Sequence, residues 1–335
     1  MAWTANELIA ATGGDWTTLA AFEGNHEGDT PTNGTLCQAR IKGIPADTGT
    51  VYWGGWVAGQ NATTRIVIKA ETGSETDGVN NGAGDDAVIE DRQIVSQGTN
   101  PIHLDILNVE FNGVDLFLSQ DAGGETRVAK CFFRDSALDG ILISDGVAAD
   151  FTLKVGACHF RDVATGAYQG AVHQNDATVT TVVEVFNCTV SSPGAGVPSS
   201  GLYEFQGTIK ARNCVCVQTS NDFNSISDEN YCAALDTSAN GANSVADGVL
   251  TVTDADDFTS PSTKDYTIFN TASVLYQAGE ARAESWFTEL CATALNGVAW
   301  RATPAIGCFE LSVAGGTTPK GPLDRPFSRP LRGPF

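Results

Sequence analysis

This 335-residue chain is poor in positive charge, in methionine and in long apolar runs. Nineteen lysine and arginine residues stand against 40 acidic ones, which gives a net charge of −21. Neutralising phosphates requires lysine and arginine, so we expect no nucleic-acid partner and little attraction to acidic membrane surfaces. No stretch of 18 apolar residues occurs, which predicts no membrane insertion. The segment Met1–Thr4 lacks a basic region followed by an apolar one, so we predict that there is no secretory signal. We therefore expect the chain to be synthesised in a reducing cytoplasm.

Cysteine pairs and cofactor fingerprints are also missing. Nine cysteines are an odd number, which a complete disulfide framework does not leave over. Cys214 and Cys216 have the wrong spacing for a zinc site, and the acidic loop Asn80–Asp86 lacks the register of a calcium-binding loop. No phosphate-binding or dinucleotide fingerprint is present. We therefore expect no metal and no cofactor.

The middle of the chain carries an internal repeat. Its aligned positions are separated by 22, 27, 30 and 26 residues, and they are Val109, Cys131, Cys158, Cys188 and Cys214. Three positions before each of them stands another small or apolar residue: Ile106, Val128, Val155, Val185 and Ala211. A second series, with spacings of 30 and 31, comprises Gly140–Ile143, Gly170–His173 and Gly201–Glu204. Each repeat thus contains at least two short strands separated by turn residues.

Repeats of this length built from short strands favour a parallel β-helix. A propeller blade needs about 40 residues or more, and leucine-rich repeats show a different consensus. In a β-helix each repeat forms one coil, and equivalent side chains stack above one another. The five aligned positions are then predicted to form a buried column, in which cysteine serves as a small apolar residue and not as a metal ligand.

The ends of such a coil need caps, because an open rung exposes a strand edge. Thr4–Glu7 reads as a capping box, which predicts a short helix through Ala11. A second short helix is predicted at Trp16–Phe22, whose apolar residues fall on one face suited to covering the open end. We divide the chain into a helical cap at residues 1–35, the β-helix at residues 36–313 and an arm at residues 314–335.

Several segments resemble one known family. Gly13–Leu19 (GGDWTTL) is similar to the entry segment of right-handed parallel β-helix proteins of the pectate-lyase-like superfamily. Asp257–Gly279 resembles the closing run of that family, and Pro304–Glu310 resembles its final strand. The resemblance covers about residues 10 to 313. It implies an all-β, right-handed parallel β-helix, but it leaves the chemistry open, because this fold hosts lyases, hydrolases, adhesins and viral spikes.

The strongest candidates for catalysis are three carboxylates predicted to face outward. Asp135 and Asp162 each follow an arginine in equivalent positions one rung apart, and Asp139 lies close behind the first. Two carboxylates about 5 to 10 Å apart serve as acid and base in glycoside hydrolysis. The alternative is a structural ladder in which arginine and aspartate pair along the stack. His159, with Glu110 and Thr189, is predicted to form a solvated outward column, and His173 is predicted to be a surface residue.

After Val313 the composition changes to a basic, proline-bearing segment. Residues 315–335 hold five of the twelve prolines and carry +3, which leaves −24 on the rest of the chain. Such a segment favours an extended polyproline path. We interpret it as an assembly arm that lies along a neighbouring subunit, with these candidate contact residues: Lys320, Arg325, Phe327, Arg329, Leu331, Arg332 and Phe335.

Three functional hypotheses remain open at this point. The first is a structural virion protein of a tailed phage, as a capsid decoration protein, head fibre or tail spike. Its expected partners are other virion subunits, further copies of itself (a homo-oligomer such as a trimer) and a host surface glycan. The second is a polysaccharide lyase or glycoside hydrolase on the same scaffold, which would use Asp135, Asp139 and Asp162. The third is a bacterial surface adhesin.

Overall fold

The protein is an all-β parallel β-helix. The computed structural model describes residues 6–26, 37–47, 49–53, 65–78, 86–90, 93–98, 102–120, 123–144, 151–163, 169–175, 181–191, 200–217, 221–245, 249–251 and 254–311. Within these ranges the coil consists of three long parallel sheets. The fold class predicted from the repeat is therefore confirmed.

The strands of each sheet are as follows. Sheet 1 contains β1 (Asn6–Ile9), β2 (Cys37–Ile41), β4 (Ile66–Ala70), β7 (Ile102–Leu107), β10 (Gly124–Ala129), β13 (Phe151–Gly156), β16 (Val182–Phe186), β19 (Thr208–Arg212) and β22 (Asp228–Asn230). Sheet 2 contains β5 (Val88–Glu90), β8 (Glu110–Asn112), β11 (Phe132–Arg134), β14 (His159–Arg161), β17 (Thr189–Ser191), β20 (Val215–Val217) and β23 (Ala233–Ala234). Sheet 3 contains β3 (Val51–Trp53), β6 (Ile94–Gly98), β9 (Leu116–Gln120), β12 (Ile141–Ile143), β15 (Gly170–Asn175), β18 (Ser200–Gln206) and β21 (Asn221–Asn224).

From β4 to β21 the chain passes through sheets 1, 2 and 3 in that order, with one strand of each sheet per coil. Strands β7, β8 and β9 form one complete coil, and β10, β11 and β12 form the next. Their registers are continuous, so that Val128 pairs with Ile106 on one side and with Val155 on the other. Because side chains alternate along a strand, one face of every sheet points into the coil and the other points out.

The interior is a set of stacked apolar columns. In sheet 2 the rings of Phe111, Phe133 and Phe160 stack with centroids 4.5 and 4.8 Å apart. All three rings are fully buried. Offset or stacked rings at such distances add to the free energy gained from burial. The columns hold successive coils at one register.

A tight corner between sheets 1 and 2 explains the recurring cysteines. Its first residue is left-handed in six coils, with φ between 51° and 58°: Asn108, Lys130, Ala157, Asn187, Asn213 and Tyr231. The next residue is buried, and in the last five coils it is Cys131, Cys158, Cys188, Cys214 or Cys232. Each of these thiols donates a weak hydrogen bond, at 3.3 to 3.4 Å, to the carbonyl two residues earlier. Cysteine thus combines small size with a donor that closes the corner.

In the first of these six coils the equivalent residue is Val109, which is also buried but whose side chain has no hydrogen-bond donor. Cys232 continues the column by one coil beyond the five positions found in the sequence. All nine cysteines are buried and none of them forms a disulfide, and burial raises the pKa of Cys131, Cys188 and Cys232.

The N-terminal cap differs in part from the prediction. The segment predicted as the first helix is strand β1, which pairs in parallel with β2. The prediction failed because a neighbouring strand edge was available, and such an edge outweighs local helix propensity. The second predicted helix is present as α1 (Leu19–His26), shifted toward the C-terminus. Its Leu19 and Phe22 are fully buried in the main core, so α1 covers this end of the coil.

Residues 254–311 lie on the outside of the coil. They contain the antiparallel strands β24 (Phe258–Ser260) and β25 (Asp265–Ile268), a 3-10 turn (Pro261–Thr263) and helix α2 (Ser285–Leu290). We call residues 254–311 the outer segment. It packs on the outward face of sheet 2 through Val215 and on the end of sheet 1 through Phe186. The expectation of a final strand at Pro304–Glu310 was wrong, because this stretch follows the outer surface without strand pairing.

Candidate functional site

The candidate carboxylates Asp135 and Asp162 lie at the corner between sheets 2 and 3. They follow the register pair Arg134 and Arg161, and both have left-handed backbones, with φ of 56° and 52°. The Asp135 amide donates to the Arg161 carbonyl at 3.1 Å, so the two positions occupy successive rungs. The equivalence read from the sequence is therefore present in the fold.

Both of these carboxylates are engaged by cations of the same chain. Asp135 accepts a hydrogen bond from Arg134 Nη1 at 2.8 Å, and Asp162 accepts one from Lys264 Nζ of the outer segment at 2.7 Å. Asp135 is exposed and Asp162 is half-buried. Arg161 instead lies over the ring of Phe132, at 4.8 Å from its centroid. This arrangement is a set of local ion pairs and not a continuous ladder.

The third candidate, Asp139, is in a different environment. It is 5% exposed, and its Oδ1 accepts hydrogen bonds from the Gly170 amide at 2.7 Å and from His173 Nδ1 at 3.1 Å. Asp139 therefore joins two neighbouring coils at the entrance to sheet 3. The expectation that His173 is a surface residue was wrong, because the Asp139 contact and a neighbouring ring bury it to 7% exposure.

The neighbouring ring belongs to Tyr203, which follows His173 in the next coil. The two rings stack with centroids 4.6 Å apart and an angle of 18° between their planes. Both stand on the outward face of sheet 3, since the adjacent Val172 and Leu202 belong to the core. We name Asp139, His173, Tyr203 and Asp115 the sheet 3 cluster.

Asp115 precedes β9 in the coil before Asp139. Its Oδ2 accepts a hydrogen bond from Gln93 at 2.7 Å. Burial raises the pKa of the Asp115 carboxyl, and the nearby charge of Asp139 raises it further. Two carboxyl groups whose surroundings differ in this way are a common arrangement for acid and base work. Sequence reasoning missed Asp115, which directly precedes β9, and Tyr203, which lies within β18 in register with His173.

The histidine of sheet 2, His159, is not solvated as expected. It is fully buried, and its Nδ1 donates to the Gly78 carbonyl at 2.9 Å while Nε2 accepts from the Ser191 hydroxyl at 3.0 Å. Burial lowers the pKa of His159 to about 3. Gly78 has φ of +78°, and a side chain there would collide with Leu295 of the outer segment, so glycine permits this close approach.

The rest of the predicted solvated column is buried as well. Glu110 accepts a hydrogen bond from Arg134 Nε at 2.5 Å, and Thr189 Oγ1 accepts one from the Cys308 amide at 3.0 Å. The prediction was wrong because the outer segment covers this face of sheet 2. Its Tyr266 and Phe309 meet the His159 ring edge-on.

A buried ionic network lies on the outward face of sheet 1. Asp105 accepts hydrogen bonds from Arg65 Nε at 2.7 Å and from Arg127 Nη2 at 2.5 Å, and all three side chains are nearly inaccessible. Arg65 also donates to Glu125, and Arg127 donates to Glu289 of the outer segment. Each charge is paired, which is the condition for burying it. The network therefore joins coils to each other and to the outer segment.

The chemistry that the sheet 3 cluster can perform is proton transfer. A carboxylate that accepts a hydrogen bond from Nδ1 orients the imidazole so that Nε2 is the nitrogen that can accept a proton. His173 Nε2 makes no hydrogen bond within the described residues. Nowhere in the described ranges do three histidine, cysteine or acidic side chains come together in a way that could hold a metal ion. None of the described helices is long and apolar enough to cross a membrane. The predicted arm residues, from Lys320 to Phe335, lie outside the described residues.

Comparison with known proteins returned no matching family model, no matching curated protein and no matching solved structure.

Proposed function

We propose that this chain is a structural protein of a tailed-phage virion, a decoration protein, head fibre or tail spike, which presents a rigid β-helix and can contact a host surface glycan. The observation that carries this proposal is the engagement of all three candidate carboxylates. Asp135 and Asp162 are each held by a cation of the chain, and Asp139 bridges two coils. A general acid or base must instead reach its substrate.

Two features of the chain support an assembled particle. The sequence resembles β-helix proteins of the pectate-lyase-like superfamily, which include viral spikes. The body is acidic, whereas residues 315–335 carry +3, so this segment has the charge to attach to a second copy. A structural role also fits the fold, because a continuous stacked core gives a stiff scaffold.

Labelling of purified particles tests the virion assignment. Antibodies raised against the full chain should decorate particles from lysates of the producing cells at regular positions in electron micrographs. Antigen found only in the soluble fraction, with particles unlabelled, would contradict the assignment.

A truncation tests the assembly arm. The full chain should form a defined oligomer in light scattering coupled to size-exclusion chromatography. A chain that ends at Val313 should keep its β circular dichroism but elute as a monomer. Normal assembly of the truncated chain would remove the arm from the proposal.

The sheet 3 cluster favours one alternative, a polysaccharide lyase or glycoside hydrolase. The raised pKa of Asp115 beside the Asp139–His173 pair is the specific observation for it. Full-length protein should release no reducing ends from host polysaccharides if the structural proposal holds. Release that Asp139→Asn abolishes and Asp135→Asn preserves would establish the enzyme and overturn the proposal.

A further inference from the structure

Residues 236–245 cover the C-terminal end of the coil, and we call them the end cap. Ser238 Oγ accepts a hydrogen bond from the Phe223 amide of β21 at 2.9 Å. Ser244 Oγ accepts one from the Cys232 amide, just before β23, at 3.1 Å. The end cap thus satisfies backbone donors of the last coil, which protects its edge from pairing with another strand.

A carboxylate stands at a core position beneath the end cap. Glu229 of β22 pairs in register with Ala211, which belongs to the buried core. The preceding members of this inward column in sheet 1 are Val185 and Val155. Glu229 therefore takes the last place in a column that is apolar in the coils before it. A carboxylate at such a position costs free energy unless its oxygens are hydrogen-bonded.

The partner of this carboxylate is a backbone amide of the end cap. Glu229 Oε1 accepts a hydrogen bond from the Gly241 N–H. A Cβ atom at position 241 would stand 2.3 Å from the carbonyl oxygen of Glu229, so only glycine permits this close approach. Burial raises the pKa of the Glu229 carboxyl, which makes its carboxylate a stronger base than an exposed one.

The residue before Gly241 is an asparagine whose side chain is exposed. The Asn240 amide makes no hydrogen bond within the described residues. In an Asn–Gly pair the glycine nitrogen can attack the asparagine side-chain carbonyl carbon, because glycine has no Cβ to hinder closure of the succinimide ring. The attack requires a side chain that is free to rotate and a base for the N–H proton. Asn240 and its neighbours supply both.

Two other Asn–Gly pairs within the described ranges have neither feature. Asn112 donates through Nδ2 to Glu90 at 3.0 Å and accepts through Oδ1 from Arg134 at 2.8 Å. Asn296 donates through Nδ2 to the Glu310 carbonyl at 2.7 Å. The glycine amide that follows each of them donates at 2.9 Å to a backbone carbonyl, which is too weak a base to take up the proton.

From this contrast we propose that Asn240 is a site of spontaneous deamidation, in which Glu229 acts as the base. Glu229 takes the Gly241 N–H proton as that nitrogen forms a bond to Asn240 Cγ. The bond between Cγ and the side-chain nitrogen then breaks, and the proton leaves with this nitrogen as ammonia. Water opens the succinimide ring to aspartate or isoaspartate, so the end cap gains a negative charge. The inference goes beyond the proposed function, because it requires neither assembly nor a glycan.

Peptide mapping by mass spectrometry tests this site in the native full chain, sampled over time at neutral pH. Asn240 should deamidate at least tenfold faster than Asn112 and Asn296, which serve as internal controls. In urea all three pairs lose their native partners, so the three rates should become similar. Equal rates at the three asparagines in the native chain would overturn the proposal.

Substitutions test the base. Glu229→Gln should slow deamidation of Asn240 at least tenfold, because an amide does not take up the proton. Glu229→Asp keeps the charge but withdraws the carboxylate from Gly241, so it should also slow the reaction. Glu90→Gln is the matched control, since it changes the partner of Asn112 instead, and it should leave the rate at Asn240 unchanged.

Circular dichroism shows which of these variants retain the β structure. The two changes at Glu229 differ in charge and in length, so a folding defect in one leaves the other as the test. An unchanged Asn240 rate in a folded Glu229 variant, or an equal slowing in Glu90→Gln, would overturn the role of Glu229.

Discussion

The outward faces of sheets 2 and 3 each carry a histidine, but the two residues have opposite surroundings. His159 on sheet 2 lies between a carbonyl and a hydroxyl under the outer segment, without a carboxylate hydrogen-bonded to it. His173 on sheet 3 binds Asp139 and stacks on Tyr203. The same residue type at an outward strand position is thus a neutral core residue in one sheet and the hydrogen-bonded partner of a carboxyl group in the other.

The difference comes from what covers each face. Residues more than 100 positions further along the chain, Tyr266 and Phe309, close over His159 and exclude water from it. At His173 only the neighbouring coils provide contacts among the described residues. The outer segment therefore removes His159 completely from solvent, whereas His173 keeps a small exposed fraction of 7%.

The largest expected effect is a difference in the stability that is lost when each of the two histidines is replaced by alanine. His159→Ala removes a fully buried ring and takes a hydrogen-bond partner from the Gly78 carbonyl and from the Ser191 hydroxyl. The free energy of unfolding should therefore fall by about 3 to 4 kcal/mol. His173→Ala should cost about 1 to 2 kcal/mol, because its contacts are local. Urea denaturation of both variants measures the contrast, and equal losses would refute it.

The next effect is a pH dependence specific to His159. Its pKa is about 3 in the folded protein and about 6.5 in an unfolded chain, so the unfolded state binds the proton first. The stability contributed by neutral His159 is complete above pH 6.5 and is lost as the pH falls toward 3, at about 1.4 kcal/mol per pH unit.

Between pH 7 and pH 4.5 this loss amounts to about 3 kcal/mol. Urea midpoints at the two pH values should show it in the wild type, and His159→Gln should reduce the pH dependence by that amount. An unchanged dependence in the variant would mean that His159 is not buried as a neutral ring.

A smaller effect is expected at the carboxylate of the sheet 3 cluster. Asp139→Asn retains an acceptor for the Gly170 amide but removes the charge beside His173, so the cost should be about 1 kcal/mol at pH 7. Asp135→Asn, at an exposed position, is the matched control and should change the urea midpoint less. A larger loss of stability in Asp135→Asn than in Asp139→Asn would contradict the expectation that Asp139 contributes more to stability.

The smallest effect is expected at the rim of the covered face. Lys264→Ala removes the ion pair with Asp162, and because this pair is partly exposed the loss should be about 0.2 to 1 kcal/mol. Hydrogen exchange should show that the outer segment stays on sheet 2, since its apolar contacts hold it. Fast exchange of β24 and β25 in this variant would show that the ion pair, and not the core, fastens the segment.

Much of the coil follows from repetition in the sequence. The spacing of Cys131, Cys158, Cys188 and Cys214 predicts stacked coils, and the alternation around them predicts which side chains point inward. These inferences succeed because each coil contacts the coils that precede and follow it along the chain. A pattern that repeats in the sequence therefore also repeats in space. The repeat does not predict Cys232, because the strands on either side of it are short and the residues around it depart from the repeat pattern.

The N-terminal strand and the outward faces were less accessible to such reasoning. Local propensity favoured a short helix from the capping box at Thr4–Glu7 through Ala11, but Asn6–Ile9 instead pairs with the edge of β2 in sheet 1. The alternation that marks His159 and His173 as outward is the same in both sheets, so it contains no information on which face is later covered.

The order of strands, the inward columns and the corner cysteines are thus properties of the repeat, because they arise from contacts between adjacent coils. The burial of His159 and the pairing of Asp162 with Lys264 arise from the path of the outer segment. That path depends on contacts between residues more than 100 positions apart, such as Asp162 and Lys264, and no local pattern in the amino-acid sequence encodes them.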